Sequence, residues 1–479
     1  MKKKFVAVIL AAVMAAALTG CGGGLRAYLT DEVAGSDKAV SQPAVDAETM
    51  RLRQEEFAGF LASVRENRRS IYNGEQLDFP DSWAESPTDR FTDEEIAALA
   101  EPPAESLSQL TAEEAAEDIE TLFRMLRQGY AAYDYFGGET AFSAAEERLL
   151  RRYADGGTAE ELAEGIISEL RAFVIDNQLS VGGIPAVAEQ RRSYYVPGLF
   201  LESAEGTHPA LVKRSIDADG KLCFVLAASC TEAEAASLPQ SVTVNGQETA
   251  VTWAAMAEDI GEKLAVSAAE WEDGTALLTS RTFAVYDEEA SARLDALSRL
   301  GGDYRSEPVL VWDLRSNRGG SDGYFRDWFA GFAGNKAQVK VSYAAKVTEL
   351  NKNLLNLILT PAWYTDASAG EMREIRSLLF AVQDDFTASS GESALAQLRT
   401  LTGTVTVGSA TRGALLTGNT VCAYLPHSGL EVCWGSKLQQ IEQNRNPDGC
   451  GWEPDLWVPS GEVLERVEKM IGYYGLSGI

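Results

Sequence analysis

Three stretches of the chain hold residue types and spacings that suit acyl transfer. The first is Asp313-Leu314-Arg315-Ser316-Asn317-Arg318-Gly319-Gly320. It follows Val309-Leu310-Val311-Trp312, a continuous apolar run of the kind that forms a strand buried on both faces. Two adjacent glycines at the strand's end let consecutive amide N–H groups converge on one anionic oxygen, which an oxyanion hole requires. The same pair also suits a plain tight turn. The second is Thr387-Ala388-Ser389-Ser390-Gly391-Glu392, between the apolar segment Leu378–Val382 and a helical pattern running from Ser390 to Thr400. A serine at a strand-to-helix turn is exposed and near the helix's positive end, as a nucleophile needs. Ser389-x-x-Glu392 is equally a capping box. The third comprises Val407-Gly408-Ser409-Ala410-Thr411-Arg412-Gly413, then Leu425-Pro426-His427-Ser428-Gly429, then Gly451-Trp452-Glu453-Pro454-Asp455, each turn-rich.

The order of these stretches resembles the tail-specific (C-terminal processing) serine peptidases, a family that includes the tricorn core and the interphotoreceptor retinoid-binding repeats. In that family a strand ending Asp-Leu-Arg-x-Asn-x-Gly-Gly precedes a Ser-Ala/Ser-x-Glu turn. A Val-Gly-x-x-Thr-x-Gly strand end, a Leu-Pro-x-Ser-Gly segment and a late Gly-x-x-Pro-Asp follow. The resemblance implies an α/β fold with a crotonase-like core of stacked ββα units. It places Ser389 as nucleophile and Gly319 and Gly320 at the oxyanion turn, with the Ser390 amide as a further donor. It implies a polypeptide substrate and calls for no cofactor or metal.

The base that a serine hydroxyl needs is where the sequence departs from the family. One branch keeps a lysine just after Thr-x-Gly and a glutamine four residues on; those positions are Ala414 and Gly418. The other keeps a histidine in a segment matching Asp176-Asn177-Gln178-Leu179-Ser180, and Gln178 stands at the histidine's place. A carboxamide does not accept a proton at useful pH. His208, His427 and Lys437 are remote candidates. Two functions follow: a serine peptidase with another base, or a pseudopeptidase that binds peptide in the old groove. A transporter's binding lipoprotein is a third reading, against which the ordered motifs count.

The elements that position these residues divide the 479-residue chain into regions. Lys2, Lys3 and Lys4 precede an apolar run from Phe5 to Leu18, too short to span a bilayer and suited to a signal peptide over 1–20. Leu18-Thr19-Gly20-Cys21 resembles a lipobox, so Cys21 is the expected lipidation site and the mature chain is expected in the cell envelope, outside the cytoplasm and lipid-anchored to a membrane. Residues 21–48 read as a flexible tether. Residues 49–190 read as a helical region, with capping boxes at Thr111/Glu114 and Thr158/Glu161 and a Gly129–Gly138 aromatic cluster that suits core packing or a groove. Residues 191–295 read as a β-rich insert of unassigned role, without the Gly-rich loop of a peptide-binding PDZ module. Residues 296–479 read as the catalytic core.

Composition excludes some partners. With 42 Lys+Arg against 71 Asp+Glu, the net charge of −29 repels nucleic acid and anionic lipid, leaving the lipid anchor as the membrane contact. The cysteines after Cys21 lack zinc-site spacing. Val421–Trp434 reads as a hairpin centred between His427 and Ser428, a register that sets Cys422 opposite Cys433, as a disulfide or as two thiols.

Overall fold

A computed structural model describes residues 45–72, 89–187, 190–204, 208–244, 246–258, 260, 266–334, 341–368, 372–441 and 448–478. The signal segment and Cys21 lie outside them.

The protein is a mixed α/β structure built on a six-stranded sheet. Its strands, in spatial order, are Val266–Glu270, Ala276–Ser280, Val309–Asp313, Leu378–Gln383, Thr404–Gly408 and Leu456–Trp457. The first pair is antiparallel and every later pair is parallel. Alternation along Val309–Trp312 explains why the run is apolar throughout. Leu310 and Trp312 face a cluster containing Phe325, Trp328 and Leu395, whereas Val309 and Val311 face one containing Phe57, Val463 and Ile471. Helices cover both faces. Helix Ala47–Tyr72 sits on the second face, with the Phe57 and Tyr474 rings 5.5 Å apart and Arg68 bonded to Asp455.

Two boundaries differ from the sequence reading. Strands Val266–Glu270 and Ala276–Ser280, read with the insert, hydrogen-bond into this sheet beside Val309–Asp313. The region read as helical over 49–190 includes a strand, Asp176–Val181, because Leu179 and Val181 alternate inward at a period of two.

A second sheet is antiparallel. Its long strand Glu431–Ile441 pairs with Thr417–Tyr424, Val341–Val347 and Asp176–Val181. Helices Ala112–Gly129, Gly138–Arg152 and Ala159–Leu170 pack on it through one core. Both expected capping boxes, at Thr111 and Thr158, are formed. The aromatic cluster belongs to this core: Tyr133 stacks on Phe142 at 4.3 Å, and the Tyr130 hydroxyl donates to Asp176 at 2.7 Å. Cys422 and Cys433 face each other in the hairpin register and are joined as a disulfide.

Candidate active site

Strand Val309–Asp313 ends in a turn that buried polar groups hold rigid. Burial pushes the Asp313 carboxyl up, but its bonds to Arg315 and Arg281 outweigh this and hold it below the ordinary value. The Asn317 side chain donates to Ser280 O at 2.9 Å and accepts the Gly319 N–H at 2.9 Å.

A second turn, between strand Leu378–Gln383 and helix Ser390–Leu398, is sewn to the first. Asp384 accepts the Ser316 N–H at 2.8 Å, Thr387 Oγ1 donates to Leu314 O at 3.0 Å, and the Ala388 N–H donates to Asn317 O at 2.8 Å. The Ser390 hydroxyl donates to Gly320 O at 2.8 Å. Ser389 therefore sits against the glycine pair. A Cβ on Gly319 would lie 2.8 Å from Ser389 Cβ and 3.1 Å from Oγ, so only glycine leaves the serine room. Gly320 is equally constrained, since a Cβ there would lie 2.0 Å from the Phe283 carbonyl carbon.

Ser389 has φ 52° and ψ −120°, a strained conformation for a residue with a side chain. The capping reading predicts otherwise. Thr111 and Thr158, which cap helices by the same Thr/Ser-x-x-Glu pattern, have φ −70° and −84° with ψ 169° and 154°. Glu392 does accept the Ser389 N–H at 3.2 Å, but the backbone at Ser389 is that of a sharp strand-to-helix elbow, a geometry that suits a nucleophile.

The expectation for the glycine pair is corrected in part. The Gly319 N–H is bound to Asn317 Oδ1, so Gly319 contributes space rather than a donor. Among the described residues the N–H groups of Gly320 and Ser390 have no acceptor, and these two can meet an oxyanion.

The two family base positions converge. Gln178 Nε2 donates to Ala414 O at 3.4 Å, and its Oε1 accepts from Thr420 Oγ1 at 2.8 Å. The Ala414 N–H donates at 2.8 Å to Glu392 Oε2, the oxygen that also receives the Ser389 N–H. Neither residue lines the cavity onto which Ser389 opens, a space of about 890 Å³ bordered by Gly320, Ser390, Thr417, Gly418 and Lys437. His427 is elsewhere: its Nε2 is 2.6 Å from Glu117 on helix Ala112–Gly129. His208 is exposed in a loop.

Three buried carboxylates hold the strap from Thr411 to Thr417, a role the sequence reading did not assign to them. Glu392 accepts from the Thr411 hydroxyl and from the Gly413 and Ala414 N–H groups. Asp448 accepts the Leu415 and Leu416 N–H groups, and Asp176 accepts the Thr417 hydroxyl. Burial pushes all three carboxyls above their ordinary values, with these bonds opposing it. Glu392 was legible as a cap partner, but Asp176 and Asp448 carried no local signal for this task.

Residues 275–456 match the family model of peptidase family S41. The chain carries a peptidase S41 domain. The match spans the Asp313–Gly320 turn, Ser389 and the strap. Solved structures similar to the chain include mature CPAF, at 12% identity over 76% of this chain and 96% of that one, with a TM-score of 0.40. The photosystem II D1 C-terminal processing protease is similar at 14% identity over 74% and 96%, with a TM-score of 0.35. A lipoprotein from Streptococcus agalactiae is similar at 12% identity over 75% and 96%, with a TM-score of 0.37. No curated protein matches the chain.

Proposed function

We propose that this chain is an exported, lipid-anchored serine peptidase of family S41 that cleaves polypeptides through Ser389. The observation that carries the reading is the backbone of Ser389, strained at φ 52° and ψ −120° beside Gly319. A helix cap has no use for that conformation, whereas a nucleophile does. In the proposed reaction Ser389 Oγ attacks the peptide carbonyl, and the N–H groups of Gly320 and Ser390 receive the charge on its oxygen. Cys21 carries the lipid, the body acts outside the cytoplasm, and polypeptide is the partner; nucleic acid is not. The test is incubation of the mature protein with an unfolded polypeptide and with a fluorophosphonate probe. Wild type should cleave the first and react with the second, and Ser389→Ala should do neither. Cleavage that survives in Ser389→Ala would refute the assignment.

Gln178 and Ala414 favour a second reading, a peptide-binding pseudopeptidase, because neither residue can take the serine's proton. On that reading wild type leaves both reagents untouched and binds peptide, and Gln178→His creates Ser389-dependent labelling.

A further inference from the structure

Attack by a serine hydroxyl requires a group to take its proton, and the cavity offers few. Lys346 borders it, but its ammonium donates to Arg127 O at 2.7 Å and is held in that role. Lys437 is placed differently. It lies on strand Glu431–Ile441, directly opposite Gly418 on the neighbouring strand. A Cβ at position 418 would lie 3.3 Å from Lys437 Cε and 3.7 Å from Nζ. The lysine's stem thus runs over the face that Gly418 leaves bare, and any larger residue at 418 would crowd the amine. Lys437 borders the same cavity as Ser389, Ser390 and Gly320. Among the described residues no carboxylate forms an ion pair with it, and its nearest recorded partner is the Tyr343 ring, 5.9 Å away. An amine on a flexible stem that borders the same cavity as Ser389 is the type of group that can serve as a base.

We propose that Lys437 is the general base for Ser389, reaching the serine from the adjacent strand across the space left by Gly418. The inference rests on the reading of Ser389 as nucleophile. The neutral Lys437 amine takes the Ser389 Oγ proton as the Oγ–C bond forms, and the carbonyl π pair moves to the oxygen. On collapse the C–N bond breaks, and the Lys437 ammonium gives its proton to the leaving amine. The neutral Lys437 amine then takes a proton from water as the water oxygen bonds to the acyl carbon; on collapse the C–Oγ bond breaks and the Lys437 ammonium returns the proton to Ser389 Oγ.

The experiment measures the rate of fluorophosphonate labelling across a pH series, on the full mature chain in detergent. It compares wild type, Ser389→Ala, Lys437→Ala and Lys437→Arg, with thermal melting recorded for each. Wild type should label faster as pH rises. Lys437→Ala should label about a hundredfold more slowly or worse, and added ethylamine should restore part of the rate there but not in Ser389→Ala. Lys437→Arg keeps a cation on a long stem but cannot release its proton, so it should be as slow as Lys437→Ala. Labelling by Lys437→Arg at the wild-type rate would overturn the proposal and leave Ser389 as nucleophile. A wild type that does not label would overturn both.

Discussion

Ser389 and Thr111 share a sequence pattern and differ in backbone: φ 52° at the serine, −70° at the threonine. Holding a side-chain-bearing residue in the first conformation costs about 1–3 kcal/mol. The bonds from Asp384, Asn317 and Glu392 on either side of Ser389 supply the restraint. Ser389→Gly should therefore relieve the strain. It should raise unfolding free energy by roughly 1 kcal/mol in chemical denaturation while abolishing labelling. A Ser389→Gly protein less stable than Ser389→Ala would contradict this. At this scale the sequence was informative, because Ser389, Gly319 and Gly320 all sit in motifs with fixed local spacing. It could not show that Asn317 occupies the Gly319 N–H, since that depends on a side-chain orientation set by Ser280.

The elements are joined by contacts that span long stretches of chain. Asp385, at the foot of the turn between strand Leu378–Gln383 and Ser389, accepts the N–H and hydroxyl of Ser193 on strand Arg192–Tyr195, at 2.8 and 2.7 Å. The β-rich region is thereby tied to the turn that ends in Ser389. Burial is the main reason the Asp385 carboxyl is pushed up to about 6 from 3.8, with the Ser193 bonds opposing it. A carboxyl raised in the folded state adds stability below its unfolded value, and that contribution is lost as pH rises through the folded value. The stability of wild type relative to Asp385→Asn should thus fall from about pH 4 to about pH 7, by at most about 3 kcal/mol. A difference that stays flat over that window would show that Asp385 does not titrate there. The Cys422–Cys433 disulfide closes a span of 11 residues, for which chain entropy gives roughly 3 kcal/mol. Cys422→Ser with Cys433→Ser should lose about that much in denaturation and still label at Ser389. A double variant as stable as wild type would count against the bridge. The hairpin register was readable from the sequence because it depends on a local turn. The Asp385–Ser193 link was not, because its partners are 192 residues apart and neither stands in a periodic pattern.

Taken whole, the chain is acidic, with a net charge of −29. No helix among the described residues is long and apolar enough to cross a membrane. An acidic body is repelled by anionic lipid, so the proposed attachment runs through Cys21 alone. Mass spectrometry of the mature protein should find its N-terminus at Cys21 carrying a diacylglycerol, and Cys21→Ala should release the protein from the membrane fraction. A mature N-terminus elsewhere would contradict the anchor. The helices Ala112–Gly129 and Ala159–Leu170 were legible from their capping boxes and apolar periodicity. The place of strands Val266–Glu270 and Ala276–Ser280 in the main sheet was not, because short strands look alike until their partners are known.

The most direct test of Ser389 is to map where a fluorophosphonate bonds to the intact protein, by digestion and tandem mass spectrometry of the labelled peptide. The phosphonyl mass should fall on Ser389, in the peptide that includes Gly391 and Glu392. An adduct on Ser390 or on another hydroxyl, with Ser389 unmodified, would contradict it.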